Sequence, residues 1–358
     1  MTQTLPRVMA ETMAPYAPSF RLPRRALVAS SGLLLFTVVL GSMIGPAAIS
    51  PGAIIAELLD RLPGVSIDSG LGERQSVILW QWRLPRVVLG GLVGASLALA
   101  GSAYQGVFRN PLVAPFSLGV VAGAGLGATI AIAFGLRVGV GPLDSIALLA
   151  FIGALGAVAM TSSLGARSGR SPTMLLLAGV AVSSFLTAIQ TFLMQRRSET
   201  LREVYAWILG RLATSGWADV WLLGPYVVVC GAVLVAHRRH LDVLRLGEDE
   251  AHALGVDVRR VRWIVLFAAS LLAAAAVAVS GIIAFVGLVI PHAVRMLFGS
   301  SYRIVVPLSA LLGAAFLVLA DVVARTIASP AELPIGVVTA FVGAPFFGLI
   351  LWNSRAAL

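Results

Sequence analysis

The chain has 358 residues, 58% hydrophobic and only 12% charged, where a soluble protein of this size carries about a quarter charged residues. Its net charge of +10 rests on arginine alone: all 26 basic residues are Arg and none is Lys. A phosphate-binding loop ending in Gly-Lys-Ser/Thr is therefore excluded, and any ATP-driven work needs a second chain to hydrolyse the nucleotide. The basic excess suits loops facing anionic lipid headgroups and argues against nucleic acid as a partner. The single cysteine, Cys230, lies in an apolar run, which excludes an intrachain disulfide and a cysteine metal cluster.

Apolar windows of membrane length, about 20 residues each, predict an all-α polytopic membrane protein. They fall at 26–45, 87–107, 116–135, 143–164, 173–194, 219–236, 262–280, 282–298, 304–325 and 333–352. The stretch 262–298 also reads as one long span plus a re-entrant piece. Residues 1–20 show no cleavable signal pattern, and Arg21, Arg24 and Arg25 precede the first span, which favours a cytoplasmic N-terminus. Ten spans then put both termini on the cytoplasmic side. Residues 1–25 and 353–358 are read as tails, and 26–352 as a single transmembrane domain.

Residues 46–86 fall outside on this topology, with Ser50 to Leu62 predicted as a short amphipathic helix stopped by Pro63-Gly64. Gly90 and Gly94, and then Gly119, Gly123 and Gly127, are spaced for close helix packing in lipid. Pro111 and Pro115 break the backbone at the turn between these spans. Arg167 and Arg170 obey the positive-inside rule. Arg196, Arg197, Arg202 and Arg211 violate it, so they require another role.

The longest polar interval of the second half is the loop 238–262, with six Arg residues. Gly247 precedes three acids, Glu248, Asp249 and Glu250; Ala251, Leu254 and Val258 then recur at helical spacing, and Gly255 can supply a left-handed stop. The pattern is a short amphipathic helix, read either as a solvated loop or as a docking element for a soluble partner. Further on, Pro291 and His292 fall within a span. Asp321 and Arg325 stand one turn apart at the outer end of the ninth span, and a charge there needs a salt bridge, within the helix or between helices. Pro334 starts the last span and Pro345 interrupts it.

His237, His240, His252 and His292 show no metal-ligand spacing, so no metal site is expected. No nucleophile–base pair is visible, and no catalytic residue is assigned. An ion-coupled secondary transporter would need membrane-embedded acids; of sixteen acids only Asp321 lies well inside a span.

The motifs RLPR, QGVFRNPL, LLLAGVAV, LGEDEAHALGV, GIIAFVGLVIPHAVR, LADVVAR and ELPIGVVTAFVGAPFF occur in the order found in permeases of the FecCD family. The resemblance runs from about Arg83 to Leu351. Ala114 stands where many members carry an acid, a departure that bears on substrate. The family comprises membrane subunits of ABC importers for ferric siderophores, haem and cobalamin.

What the resemblance implies is a BtuC-like, type II ABC importer permease of ten transmembrane helices in the cytoplasmic (inner) membrane of a bacterium. Its partners would be a second permease subunit, expected to be a copy of itself, two ATPase subunits, and an extracytoplasmic substrate-binding protein. ATP and Mg would bind the ATPase, and this chain would hold no cofactor. The expected cargo is a ferric siderophore or haem, with cobalamin as the alternative.

Leu246, Gly247, Glu248, Glu250, Ala251, Leu254 and Gly255 would couple to the ATPase. In that arrangement Ala251 and Leu254 would enter its groove while Glu248 and Glu250 face the rim. Ser171, Pro172, Thr173 and Met174 resemble the cytoplasmic gate, and the fifth span and the start of the tenth resemble the path lining. Arg196, Arg197, Arg202 and Arg211 would receive acidic lobes of the binding protein or an anionic chelate, or else reach lipid phosphates.

Overall fold

The structure, a computed structural model, describes residues 22–45, 49–61, 67–136, 144–167, 172–212 and 216–355. Among these residues there are helices and connecting turns and no strands. Their order is α1 (Arg24–Met43), α2 (Pro51–Asp60), α3 (Glu73–Val107), α4 (Val120–Ala133), α5 (Ser145–Arg167), α6 (Pro172–Arg196) and α7 (Leu201–Ile208). There follow α8 (Trp217–Leu244), α9 (Glu248–Ala253), α10 (Val258–Ser280), α11 (Val286–Phe298), α12 (Tyr302–Thr326) and α13 (Ile335–Arg355). Seven of these are long and apolar enough to cross a membrane: α1, α3, α5, α6, α8, α10 and α12. The apolar helices α4, α11 and α13 account for the other three predicted windows.

Burial sorts the helices. About three quarters of the apolar stretch is buried in α3 and α10 (78% and 72%), against 22–28% in α1, α5, α6 and α8. α3 is thus the central post, packed by α8, α10, α11 and α12, while α4, α5 and α6 form a second cluster joined to it through α10. With lipid outside as apolar as the side chains, close backbone approach is what holds such helices together. The glycines show it: a Cβ on Gly94 would collide with Gly313 O, one on Gly101 with Gly287 O, and one on Gly127 with Leu149 O. Gly123 meets Gly153 in the same way, as the four-residue spacing predicts. Gly90 keeps ordinary clearance, and Gly119 instead takes a left-handed φ of 87° that ends the turn before α4.

Several segments differ from the windows read in the sequence: α3 begins at Glu73, and α8 continues to Leu244 while α10 starts at Val258, so the loop read as 238–262 narrows to 245–257. The third span is shorter, because the turn through Pro111 and Pro115 continues to Gly119. The eighth is a 13-residue helix preceded by the non-helical stretch 281–285. Gly281 and Phe285 both take a φ of 68° there, so α10 and α11 are separate helices with an irregular link. The outer amphipathic helix runs from Pro51 to Asp60, capped by Ser50 Oγ accepting from Ala53 N (3.2 Å); Pro63-Gly64 lies outside the described residues.

At the end of the bundle away from α9, a buried ion network closes α1 onto the core. Asp321, on α12, takes Arg325 Nε at 3.0 Å and Arg86 Nη2 at 2.8 Å, and Arg86 Nη1 donates to Glu332 Oε1 at 3.0 Å. Arg325 also donates to Ile44 O (2.8 Å) and Gly41 O (3.1 Å), and Arg83 Nη1 to Ser42 O and Met43 O (3.2 Å each). Those are the final carbonyls of α1, which have no partner within their own helix and carry its negative dipole end. Glu57 is fixed nearby, accepting from Ser69 Oγ (2.6 Å) and Trp80 Nε1 (3.0 Å), bonds that hold its carboxyl below the usual range.

Asp321→Ala removes the buried carboxylate shared by Arg325 and Arg86, leaving Arg325 without an acid, and is expected to destabilise the detergent-solubilised protein by about 3–5 kcal/mol. Glu332→Ala removes a half-exposed partner and is expected to cost about 1 kcal/mol or less. Denaturant unfolding of the purified variants checks the order; equal losses would mean that Arg86 is held by something other than Asp321.

Candidate functional site

The loop between α8 and α10 carries the short helix α9. It starts where Gly247 (φ 141°) leaves the helical region, and it stops at Gly255 (φ 78°), whose N–H donates to His252 O at 2.9 Å while Val256 N donates to Ala251 O at 3.0 Å. The glycine stop read in the sequence is therefore a left-handed C-terminal turn. Val258 belongs to the next helix, which Asp257 caps by accepting from Arg260 N at 2.9 Å.

Two side chains expected to face a partner are used inside the chain. Ala251 is fully buried, because six residues of helix can rest on the bundle only through a small side chain. Glu248 is no free rim charge: its Oε1 accepts from Arg262 Nη2 and from Arg109 Nη2 (3.3 Å), which ties α9 to the start of α10 and to the turn after α3. The Arg262 hydrogen bond holds the Glu248 carboxyl below the usual carboxylate range. What α9 does present outward is Leu246 and Leu254, both 62% exposed, together with the exposed Glu250. The apolar contact surface thus shifts from Ala251 and Leu254 to Leu246 and Leu254. Arg109 and Arg262 were legible as residues of a motif and of a basic loop, but their pairing needs the fold.

Of the predicted gate, Ser171 lies outside the described residues. Pro172 opens α6, with Thr173 and Met174 exposed in its first turn. The outer face of α6 is apolar and uncovered at Leu177, Val180, Phe185 and Phe192. At the far end, Leu209 to Arg211 crosses the irregular link and the start of α13. Arg211 N donates to Ser280 O (2.9 Å) and Gly336 N to Leu209 O (3.1 Å). These contacts need glycine at three positions, since a Cβ on Gly210 would press Ile282 O, one on Gly281 would collide with Trp207 O, and one on Gly336 with Leu209 O. Irregular backbone at membrane depth is tolerated where protein covers it or it lines a cavity. Here it lines an apolar groove of about 580 Å³, walled by Leu209, Ile282, Ala284, Gly336, Ala340 and Phe341. Among the described residues no charged side chain lines that groove.

The four arginines expected on the outer side share the end opposite α9 but not one environment. Arg196 stacks over Phe192 (5.6 Å) and Arg197 over Phe134 (5.5 Å), with Glu199 at 3.8 Å from Arg197. Arg202 is exposed on α7. Arg211 lines a separate cavity with Asp144 and Asp219, so two acids already offset its charge. No group of three or more His, Cys, Asp or Glu that could hold a metal occurs among the described residues. Asp321, the membrane-embedded acid, is engaged by two arginines and is not available to carry an ion.

The sequence profile of the FecCD transport family matches residues 33–353. The chain belongs to the FecCD transport family. It is 46% identical over 283 residues to the cobalamin import system permease protein BtuC of Halobacterium salinarum, covering 79% of this chain and 75% of that one. It is 38% identical over 325 residues to the molybdate import system permease protein MolB of Haemophilus influenzae, covering 90% and 94%. Among solved structures, a protein described as a metal-chelate type ABC transporter in an inward-facing conformation superposes with a TM-score of 0.80 at 34% identity, over 92% of this chain and 99% of that one. The chain is accordingly a multi-pass, all-helical ABC importer permease of this family.

The mount of α9 makes a pH prediction. A carboxyl with a lowered folded pKa stabilises above its unfolded value, near 4.3, and loses that contribution as pH falls through the folded value. Amide exchange in α9, corrected for its intrinsic pH dependence, is expected to be slow at pH 7 and 5.5 and to quicken as pH falls below the unfolded carboxyl value, near 4.3. Glu248→Gln is expected to quicken it already at pH 7; identical exchange in both proteins would mean that Arg262 and Arg109 do not hold the helix.

Proposed function

We propose that this FecCD-family permease moves a metal chelate across the cytoplasmic membrane, drawing its energy from a separate ATPase that docks on α9. The superposition of nearly the whole chain on a metal-chelate transporter carries the reading. An ATPase seated on Leu246 and Leu254 would push α9. Because α9 is tied through Glu248 to Arg262 and Arg109, the push reaches α10 and α3 directly. Two such chains would face each other across the path, with α6 and the start of α13 as its walls, and rock between outward-open and inward-open states. The apolar groove beside α13 offers no tight ligand, which suits a bulky, rigid chelate. A bare oxyanion such as the molybdate named for one relative would need cations or backbone donors there.

A ferric siderophore or haem is the cargo that the motifs lead one to expect. A cobalt corrinoid is the second reading, favoured by the 46% identity to a permease named for cobalamin. On the outer side, Arg196, Arg197 and Arg202 form the surface for an acidic binding protein. With both termini and α9 cytoplasmic, Arg245 and the arginines at the adjoining ends of α8 and α10 follow the positive-inside rule.

The deciding experiment is transport by proteoliposomes that hold this permease, its ATPase and its binding protein, offered ferric siderophore, haemin, cobalamin or molybdate. Uptake of one chelate that requires ATP is expected. Molybdate as the sole cargo would overturn the chelate reading. The permease alone is expected to hydrolyse no ATP, and hydrolysis by the isolated chain would overturn the division of labour.

Leu254→Asp is expected to abolish assembly with the ATPase or to uncouple hydrolysis from uptake, since it puts an unpaired charge into a packed contact. Import at the normal rate by that variant would remove α9 from the coupling path. Thr173→Cys is expected to crosslink between two copies in one nucleotide state and not the other. A residue that never meets its mate in either state does not belong to the gate.

A further inference from the structure

Beside the mount of α9 lies a cavity of about 250 Å³ that the coupling role does not use. Three guanidinium groups line it from three different elements: Arg109 from the turn after α3, Arg245 from the end of α8 and Arg295 from α11. Gln105, Asn110 and Tyr302 complete the polar wall, and no acid is among the lining residues. Arg109 reaches a carboxylate only at Glu248, which is itself shared with Arg262. Arg245 and Arg295 have no carboxylate within 4.0 Å among the described residues: Arg245 donates to Ser300 O, 2.6 Å away, and Arg295 Nη2 lies 3.5 Å from Tyr302 Oη.

Both cations also stack on the ring of Tyr302, at 5.9 and 5.6 Å, so they are held beside each other. Two buried polar atoms lack any partner there, Arg295 Nη1 as a donor and Gln105 Oε1 as an acceptor. Converging like charges with an unused donor are an unfavourable arrangement unless an anion completes it.

We propose that this cavity binds a phosphate-bearing anion. Guanidinium forks match phosphate oxygens in charge and geometry. The unpaired Gln105 Oε1 adds an acceptor for a hydroxyl or a protonated phosphate oxygen on the same ligand. The volume admits a phosphate group with several waters, at about 30 Å³ for each water. Two sources share this chemistry: soluble phosphate, and the headgroup of an anionic lipid such as phosphatidylglycerol. Leu112, Met296 and Leu297, each next to a lining residue in sequence or one beyond it, are 50%, 67% and 71% exposed and would meet acyl chains in the second case. Because Arg109 also holds Glu248, an anion here would share the cation that mounts α9, and its occupancy would bear on coupling. The site stands whether or not the cargo is a chelate.

The test uses the purified full-length chain. Inorganic phosphate is titrated at fixed ionic strength against chloride while thermal unfolding is followed in detergent. In parallel, protein extracted from phosphatidylglycerol nanodiscs is weighed for retained lipid, with phosphatidylcholine nanodiscs as reference. A saturable rise in Tm with phosphate is expected, with affinity falling roughly tenfold in Arg245→Gln. Arg74→Gln, an exposed arginine at the other end, is expected to bind as the wild type does. Retention of phosphatidylglycerol by the wild type and its loss in Arg245→Gln would identify the source as lipid. Phosphate stabilisation without lipid retention would identify it as soluble. Arg295→Gln repeats the comparison, and should it fail to fold, the exposed Arg245 decides. A flat phosphate titration with no retained lipid, or an Arg245→Gln chain indistinguishable from wild type in both arms, would overturn the site.

Discussion

In hydrocarbon no water is available to a broken backbone, so each place where a helix ends inside the protein must find its hydrogen bonds within the chain. This chain ends helices early in several places, and its polar residues gather there. The last turn of α1 gives its free carbonyls to Arg83 and Arg325. Arg325 is paired there with Asp321, which also takes Arg86, and Arg86 in turn reaches Glu332. The link between α10 and α11 is served by Arg211 N on Ser280 O, beside α13, whose first turn gives Gly336 N to Leu209 O. The first site fastens a peripheral helix to the core. The second borders a groove along α13 whose described wall is apolar.

The short helix α9 is likewise held by contacts within the chain. Six residues of α9 are too few to be stable alone, since helix nucleation is costly and only tertiary contact repays it. Ala251 supplies the buried contact, and Glu248 supplies two ties to different helices. The exposed Leu246 and Leu254 therefore stand on a short connection to the turn after α3 and to the start of α10.

Much of this was legible beforehand. Ten apolar windows became ten apolar helices, and glycines spaced by four marked the contacts at Gly94, Gly123 and Gly127. The ordered motifs named the family. Which way a side chain points was not legible at α9: acids in a first turn suit a free helix dipole and a tethered one equally, so Glu248 read as a rim charge. Only the neighbouring Arg109 and Arg262, 139 and 14 residues away in sequence, reveal it as an anchor. Likewise Asp321–Arg325 was visible as a pair one turn apart, while Arg86 lies 235 residues from Asp321 and could be joined to it only by the packing of α3 against α12.

By itself, then, the sequence determined the solvent, the number of apolar helices and the absence of a nucleotide-binding lysine, because hydropathy and composition are local and additive. The tertiary structure decided which charges neutralise one another, which glycines touch backbone, and which arginines converge on one cavity. Those depend on distances between residues far apart in the chain, and in a low-dielectric interior a few ångströms separate a satisfied charge from an unsatisfied one.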